Sequence, residues 1–177
     1  EANFRGIMTA LITTPKLMYI GGNALASIGD CLAKLDIRNL LIVTDPFMAQ
    51  GGKIDALTDL LIEAGVHYRV FEDTVPEPTT DVIEAGVALL AQADYDGLIA
   101  FGGGSPIDTA KAINILAAGG GRMSDYKVPN QPNMPVMPLV AIPTTAGTGS
   151  EVTKVTVITD TTTDEKMLIM GLACLPD

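Results

Sequence analysis

Short apolar runs alternate with amphipathic stretches along most of this chain, and that alternation limits the fold more than any other feature. Runs at residues 39–44, 67–71, 98–101 and 139–142 have the character of β-strands. The longer segments between them repeat apolar residues every three or four positions, as a helix with one buried face requires. This pattern predicts an α/β fold, a Rossmann-like parallel sheet with helices on both faces.

Smaller elements are predicted from the same patterns. Residues 17–20 are expected to form a first strand, and the turn-rich residues 160–165 are expected to join a late antiparallel strand pair at 155–159 and 167–170. We expect one domain over residues 1–177. Helices are predicted at residues 24–35, 54–64, 80–92 and 105–118.

Composition restricts the classes of function. The net charge is −10 and only eleven residues are Lys or Arg, which disfavours nucleic-acid binding. Polar residues interrupt the apolar runs before the roughly eighteen residues that a membrane helix needs. Cys31 and Cys174 are far apart in sequence, which gives no sign of a disulfide framework. The N-terminal residues also do not form a basic segment followed by an apolar run, so both features favour a cytoplasmic protein. His67, the one histidine, lies in a predicted strand, so we predict no metal site and no catalytic residue in this chain.

A glycine-rich loop separates the run at 98–101 from a predicted helix. Gly102, Gly103 and Gly104 allow close approach of the backbone to a ligand, and with Ser105 they lie at a helix N-terminus that favours a pyrophosphate. The loop matches neither the dinucleotide fingerprint GxGxxG nor the P-loop.

A purely structural interpretation of this loop is also open. Ser105 would cap the helix, Pro106 would take the first helical position and Asp108 would complete a capping box. A capping box does not need three preceding glycines, so the loop favours nucleotide binding.

A second loop, residues 143–151, follows the run at 139–142. Hydroxyl groups in this loop can bind a sugar, a phosphate or an amide, although a polar helix cap is the alternative. Ligands of open parallel sheets bind beyond the carboxyl ends of the strands, so both loops are expected to face one crevice. The hydroxyl residues are Thr144, Thr145, Thr148 and Ser150.

Asp45 follows the run at 39–44 and is the third candidate feature. Its carboxylate could accept both hydroxyls of an adenosine ribose and would repel a 2′-phosphate, which favours NAD over NADP. The alternative is an Asp-Pro turn residue without a ligand.

Taken together, these motifs resemble the iron-containing (group III) alcohol dehydrogenases, which include lactaldehyde and 1,3-propanediol reductases. The resemblance is collinear from about residue 15 to residue 177. The stretches that carry it are residues 43–45, 75–79, 102–113 and 142–153.

The resemblance implies an N-terminal domain that binds NAD(P). It implies that Asp108 lies near the nicotinamide and Lys166 contacts its ribose, while Glu77 stands where many relatives have Asn. The residues it places around the dinucleotide are Asp45, Phe47, Gly102, Gly103, Gly104, Ser105, Asp108, Thr144, Thr145, Thr148, Ser150 and Lys166.

Family members also continue into a helical domain in which one Asp and three His hold iron, and they transfer a hydride between nicotinamide and a small alcohol or aldehyde. The resemblance therefore implies that this chain binds NAD(H) without turnover, lacks the iron ligands and self-associates through apolar surface that the second domain would cover. The alternatives are a non-catalytic nucleotide-binding or assembly module and a relative of glycerol dehydrogenase.

Overall fold

A four-stranded parallel sheet forms the centre of the computed structural model, which describes residues 11–177. β1 and β3 occupy its middle and are buried on both faces, as their continuous apolar sequences require. The predicted α/β fold is confirmed. The strands are β1 (Asn39–Val43), β2 (His67–Phe71), β3 (Gly97–Gly102) and β4 (Leu139–Pro143), in the order β2-β1-β3-β4.

Helices cover both faces of the sheet. The helices are α1 (Ile28–Lys34), α2 (Pro46–Ala49), α3 (Asp55–Glu63), α4 (Thr80–Leu90) and α5 (Gly104–Gly119). Alternate residues of β1 enter two apolar clusters: Leu41 and Val43 pack on the side of α4 and α5, whereas Leu40 and Ile42 pack on the side of α1 and α3. None of the described helices is long and apolar enough to cross a membrane.

The predicted antiparallel pair is present as β5 (Val155–Asp160) and β6 (Glu165–Met170), which form a separate sheet. The inward residues Ile158, Met167 and Ile169 join the core cluster beside α5. We call β5, β6 and their connecting turn the hairpin; it lies over the helix that follows the first glycine-rich loop.

The first predicted strand is wrong. Residues 17–20 belong to no sheet in the described chain. A strand needs a series of hydrogen bonds to a neighbouring strand, and this segment has no such series with any described strand. Its backbone is connected to β4 through Asp177: Leu17 N donates to Asp177 O at 3.2 Å, and Asp177 N donates to Leu139 O at 2.9 Å.

Several helix starts also differ from prediction. The 24–35 segment begins as a 3-10 helix at Ala24–Ser27, and the loop after residue 122 contains another at Met123–Tyr126. α2 was not predicted, because Asp-Pro was expected only to break the chain; Asp45 instead caps a helix with Pro46 in its first turn. Short 3-10 helices also occur at Ser150–Val152 and Leu172–Cys174.

Candidate dinucleotide site

The strand order places a crevice at the carboxyl ends of β1 and β3. The chain leaves β1 for β2 on one side and returns to β3 on the other, and ligands of open α/β sheets bind at such a reversal. Thr44 joins the two strand ends, since its Oγ1 donates to Phe101 O at 2.7 Å. Thr144 N donates to Gly102 O at 2.9 Å, which brings the end of β4 to the same place.

The first glycine-rich loop depends on its lack of side chains. Gly102 has φ 147°, and a Cβ there would lie 2.7 Å from Pro106 Cγ and 3.3 Å from Asp45 Oδ2. α5 starts at Gly104 with Gly103 as its N-cap, so the structural alternative, a capping box led by Ser105, is not what the structure has. Gly104 and Ser105 instead lie in the first turn, where N–H groups have no partner within the helix and can face an anion.

The two loops lie against each other. A Cβ on Gly103 would be 3.2 Å from Thr145 Oγ1, and one on Gly104 would be 3.2 Å from Thr148 Cγ2 and 3.4 Å from Ser150 Oγ. The predicted meeting of the loops in one crevice is therefore found in the structure. The second loop does not open a helix of any length, since only the three-residue 3-10 helix Ser150–Val152 follows it.

A cap and an exposed ring occupy the end of β1. Asp45 Oδ1 accepts from Met48 N at 3.0 Å, so the residue has the structural role that we considered as the alternative, while its other oxygen lies near Gly102. Phe47 is 69% exposed, with Lys53 Nζ 4.0 Å from its ring centroid. An acidic helix cap beside Gly102 and a largely exposed aromatic ring thus follow the end of β1.

Asp108 lies one turn into α5, under the hairpin. Its Oδ2 accepts from Val157 N at 3.3 Å, whereas its Oδ1 is buried and has no hydrogen-bond partner within residues 11–177. Burial raises the pKa of Asp108, and the nearby charge of Lys111 partly opposes that rise.

Lys111 is a site-building residue that sequence reasoning missed. It is fully buried, and its Nζ donates to Thr153 O at 2.9 Å and to Val155 O at 2.8 Å. Burial lowers the pKa of Lys111, and the Asp108 carboxylate opposes that change. The contacts fasten α5 to the segment between the second loop and β5. The available sequence signal was a lysine in the apolar middle of a helix, three residues after Asp108.

Lys166 lies on β6 opposite Thr159, and its Nζ donates to Glu77 Oε1 at 2.7 Å. Lys166, the predicted ribose contact, is thus paired with an exposed acidic side chain. The hairpin connects Lys166 to Asp108, because Lys166 lies on β6 and Val157 of the paired strand β5 donates a hydrogen bond to Asp108.

Residues 11–177 contain no group of three or more His, Cys, Asp or Glu side chains that could hold a metal ion. Neither of two further cavities is lined by Gly102, Gly103 or Gly104. One, of about 590 Å³, lies between residues 15–31 and β4 and is also lined by Glu151 of the second loop. The other, of about 630 Å³, lies near the C-terminal ends of α4 and α5. The candidate site is instead the carboxyl edge of the sheet, where the two loops meet.

Comparisons with known proteins agree with this geometry. The family model "iron-containing alcohol dehydrogenase" matches residues 15–177. The NAD-dependent methanol dehydrogenase of Bacillus methanolicus is 40% identical over 92% of this chain and 42% of its own length. The structure of a 1,3-propanediol oxidoreductase has a TM-score of 0.91 and 32% identity, over 96% of this chain and 44% of that one. The structure of an alcohol dehydrogenase from Oenococcus oeni has a TM-score of 0.89 and 30% identity, over 95% of this chain and 44% of that one. The chain therefore spans less than half the length of these relatives.

Proposed function

The chain belongs to the iron-containing alcohol dehydrogenase family, and from that membership we propose that it is the NAD-binding part of an NAD-dependent alcohol dehydrogenase. One observation carries the proposal: Gly103 and Gly104 of the first loop lie against Thr145, Thr148 and Ser150 of the second. Free helix N–H groups and hydroxyl donors then face a single groove, which suits a diphosphate with sugars on either side.

Each part of the groove has a role in this proposal. Gly103, Gly104 and Ser105 bind the pyrophosphate, and the hydroxyls of the second loop bind its oxygens and the adjoining sugar. Asp45 accepts the hydroxyls of the adenosine ribose, and Phe47 offers its exposed ring to the adenine. Asp108 and Lys166 lie towards the nicotinamide end, which the hairpin covers.

Hydride transfer between a small alcohol or aldehyde and the cofactor is chemistry that the bound nicotinamide supplies. This chain's residues orient the dinucleotide and hold its charge. The described residues do not fit the iron in the family's name, because they lack a suitable ligand group. We accordingly propose cofactor binding, without turnover, for the chain alone.

The preference for NAD over NADP rests on Asp45. Its carboxylate lies next to Gly102, where a 2′-phosphate on the adenosine ribose would meet a negative charge. The methanol dehydrogenase relative is itself described as NAD-dependent, which supports the same preference.

Titration of the purified chain with NADH, followed by nicotinamide fluorescence, tests the proposal. We expect saturable binding of NADH, weaker binding of NADPH, and no reduction of NAD⁺ by ethanol or 1,2-propanediol. An Asp45→Asn variant should narrow the gap between NADH and NADPH. Absence of a saturable signal with wild-type chain at millimolar NADH would contradict the proposed function.

A further inference from the structure

Glu77 holds a backbone conformation that few side chains adopt. Its φ is 55°, in the left-handed region, and it lies between Pro76 and Pro78. Glutamate has no local reason to prefer that region, whereas Asn tolerates it comparatively well. Such a conformation persists when the surrounding structure imposes it, and it is found most often at functional sites.

Contacts with the hairpin hold the backbone of the loop that carries Glu77. Thr159 N donates to Pro78 O at 2.8 Å, and Thr79 forms an isolated bridge with Thr159. Two residues further along, Thr161 Oγ1 donates to Asp81 Oδ1 at 2.7 Å. The loop that carries Glu77 is therefore bonded at successive points to the end of β5.

These contacts fix the distance between Glu77 and Lys166. Lys166 is the register partner of Thr159 across the hairpin, so the backbones on both sides of the ion pair are held in place. The two side chains remain exposed, 60% for Lys166 and 69% for Glu77. Ion pairs this exposed add little to stability, so the free energy of the pair does not offset the cost of the strained Glu77 backbone.

The ion pair also lies at the edge of the sheet where the candidate site opens. The loop follows the carboxyl end of β2, and the glycine-rich loop follows the carboxyl end of β3. The hairpin connects the two regions, since Val157 N bonds Asp108 in the first turns of α5.

We propose that Glu77 is a positioning residue, which holds the Lys166 ammonium where it can bind the nicotinamide ribose of the dinucleotide. An ammonium has three N–H donors; one is directed to Glu77 Oε1, and two remain for ribose hydroxyls. This inference rests on the proposed function and adds a residue to it. Glu77 acts through Lys166 and does not itself contact the cofactor.

Two variants separate the charge of Glu77 from its backbone strain. Glu77→Gln keeps the side-chain length and the strain but removes the charge, whereas Glu77→Asn removes the charge and suits the left-handed backbone. We expect both to weaken NADH binding about 3- to 10-fold, the effect of losing one charge-assisted hydrogen bond. Glu77→Asn should melt at a higher temperature than Glu77→Gln.

ADP is the probe that separates positioning from a general structural role, because it contains the adenosine and the diphosphate but no nicotinamide ribose. We expect wild-type affinity for ADP in both variants, and Lys166→Met should remove the effect of Glu77→Gln on NADH binding. Unchanged NADH affinity in Glu77→Gln, or equal losses for NADH and ADP, would overturn the inference alone. Failure of the wild-type chain to bind NADH would overturn the proposed function, and this inference with it.

Discussion

The two loops that meet in the groove differ in what holds them. Residues 102–105 span the junction of the fully buried strand β3 and the 16-residue helix α5, so the hydrophobic core fixes both ends. Residues 144–148 are exposed and lead only to a three-residue 3-10 helix. The second loop instead depends on hydrogen bonds on either side, at Thr144 and at Thr153. Two loops of similar composition are thus held differently: the first by packing of the flanking strand and helix, the second by hydrogen bonds at its two ends.

Substituting alanine for a glycine in each loop should show this difference most strongly. At Gly102 a Cβ would lie 2.7 Å from Pro106 Cγ, and φ is 147°. We expect Gly102→Ala to lower the free energy of unfolding by about 3–5 kcal/mol and to abolish NADH binding. At Gly147 only the backbone is unfavourable, since φ is 106° and a Cβ there would have no described heavy atom within 4 Å apart from those of its chain neighbours. Gly147→Ala should cost about 1–2 kcal/mol.

Urea denaturation measures the stability of both variants, and NADH titration measures their binding. Equal losses of stability in the two variants would remove the distinction between a core-held and an anchored loop.

The anchor of the second loop can be broken without touching the loop itself. Lys111→Met should leave the carbonyls of Thr153 and Val155 unpaired and cost about 2–4 kcal/mol of stability. It should also weaken NADH binding, because the segment after Ser150 would lose its attachment to α5.

Asn114→Leu is the matched control. Asn114 is a buried polar residue on the same helix, and its side chain bonds both the N–H and the carbonyl of Met137, at the far end from the glycines. We expect a comparable loss of stability with NADH affinity retained, measured under conditions where both variants are folded. If Asn114→Leu weakened NADH binding as much as Lys111→Met, the anchor role of Lys111 would be disproved.

The smallest expected effect concerns the pH dependence of stability at Asp108. Its folded-state pKa is raised above the ordinary 3.8 by burial, so the native chain keeps this proton at pH values where the unfolded chain releases it. The stabilising contribution of the protonated form is present below pH 3.8 and is lost as the pH rises through the raised pKa. Asp108→Asn cannot ionise and should gain stability relative to wild type over that interval.

Chemical denaturation of wild-type chain and Asp108→Asn between about pH 4 and pH 7 checks the sign, since the other carboxylates contribute equally to both. A difference that stays constant or falls with pH would show that the Asp108 carboxylate is not disfavoured by its surroundings.

The sequence predicted features that depend on local patterns. Apolar runs identified β1 to β4, and the rule that ligands bind beyond the carboxyl ends of parallel strands predicted that the two loops would face one another. The strand at residues 17–20 failed because strand formation needs a partner, and its own pattern contains no information about one.

Long-range polar contacts were also beyond the sequence. The acceptors of Lys111 lie 42 and 44 residues away, and Glu77 and Lys166 are separated by 89 residues. Neither partner could be inferred from spacing. The consequences for the site, an anchored second loop and a paired Lys166, follow only from the tertiary structure.

The alternation of β1 between two apolar clusters has a consequence for how this chain tolerates changes in length. Insertion or deletion of one residue within β1 would turn Leu41 and Val43 towards α1 and α3. The same slip would carry Thr44 away from Phe101 and Asp45 away from Gly102. The spacing between the core of this strand and its last polar residues is therefore constrained twice, by packing against two clusters and by the contacts at the candidate site.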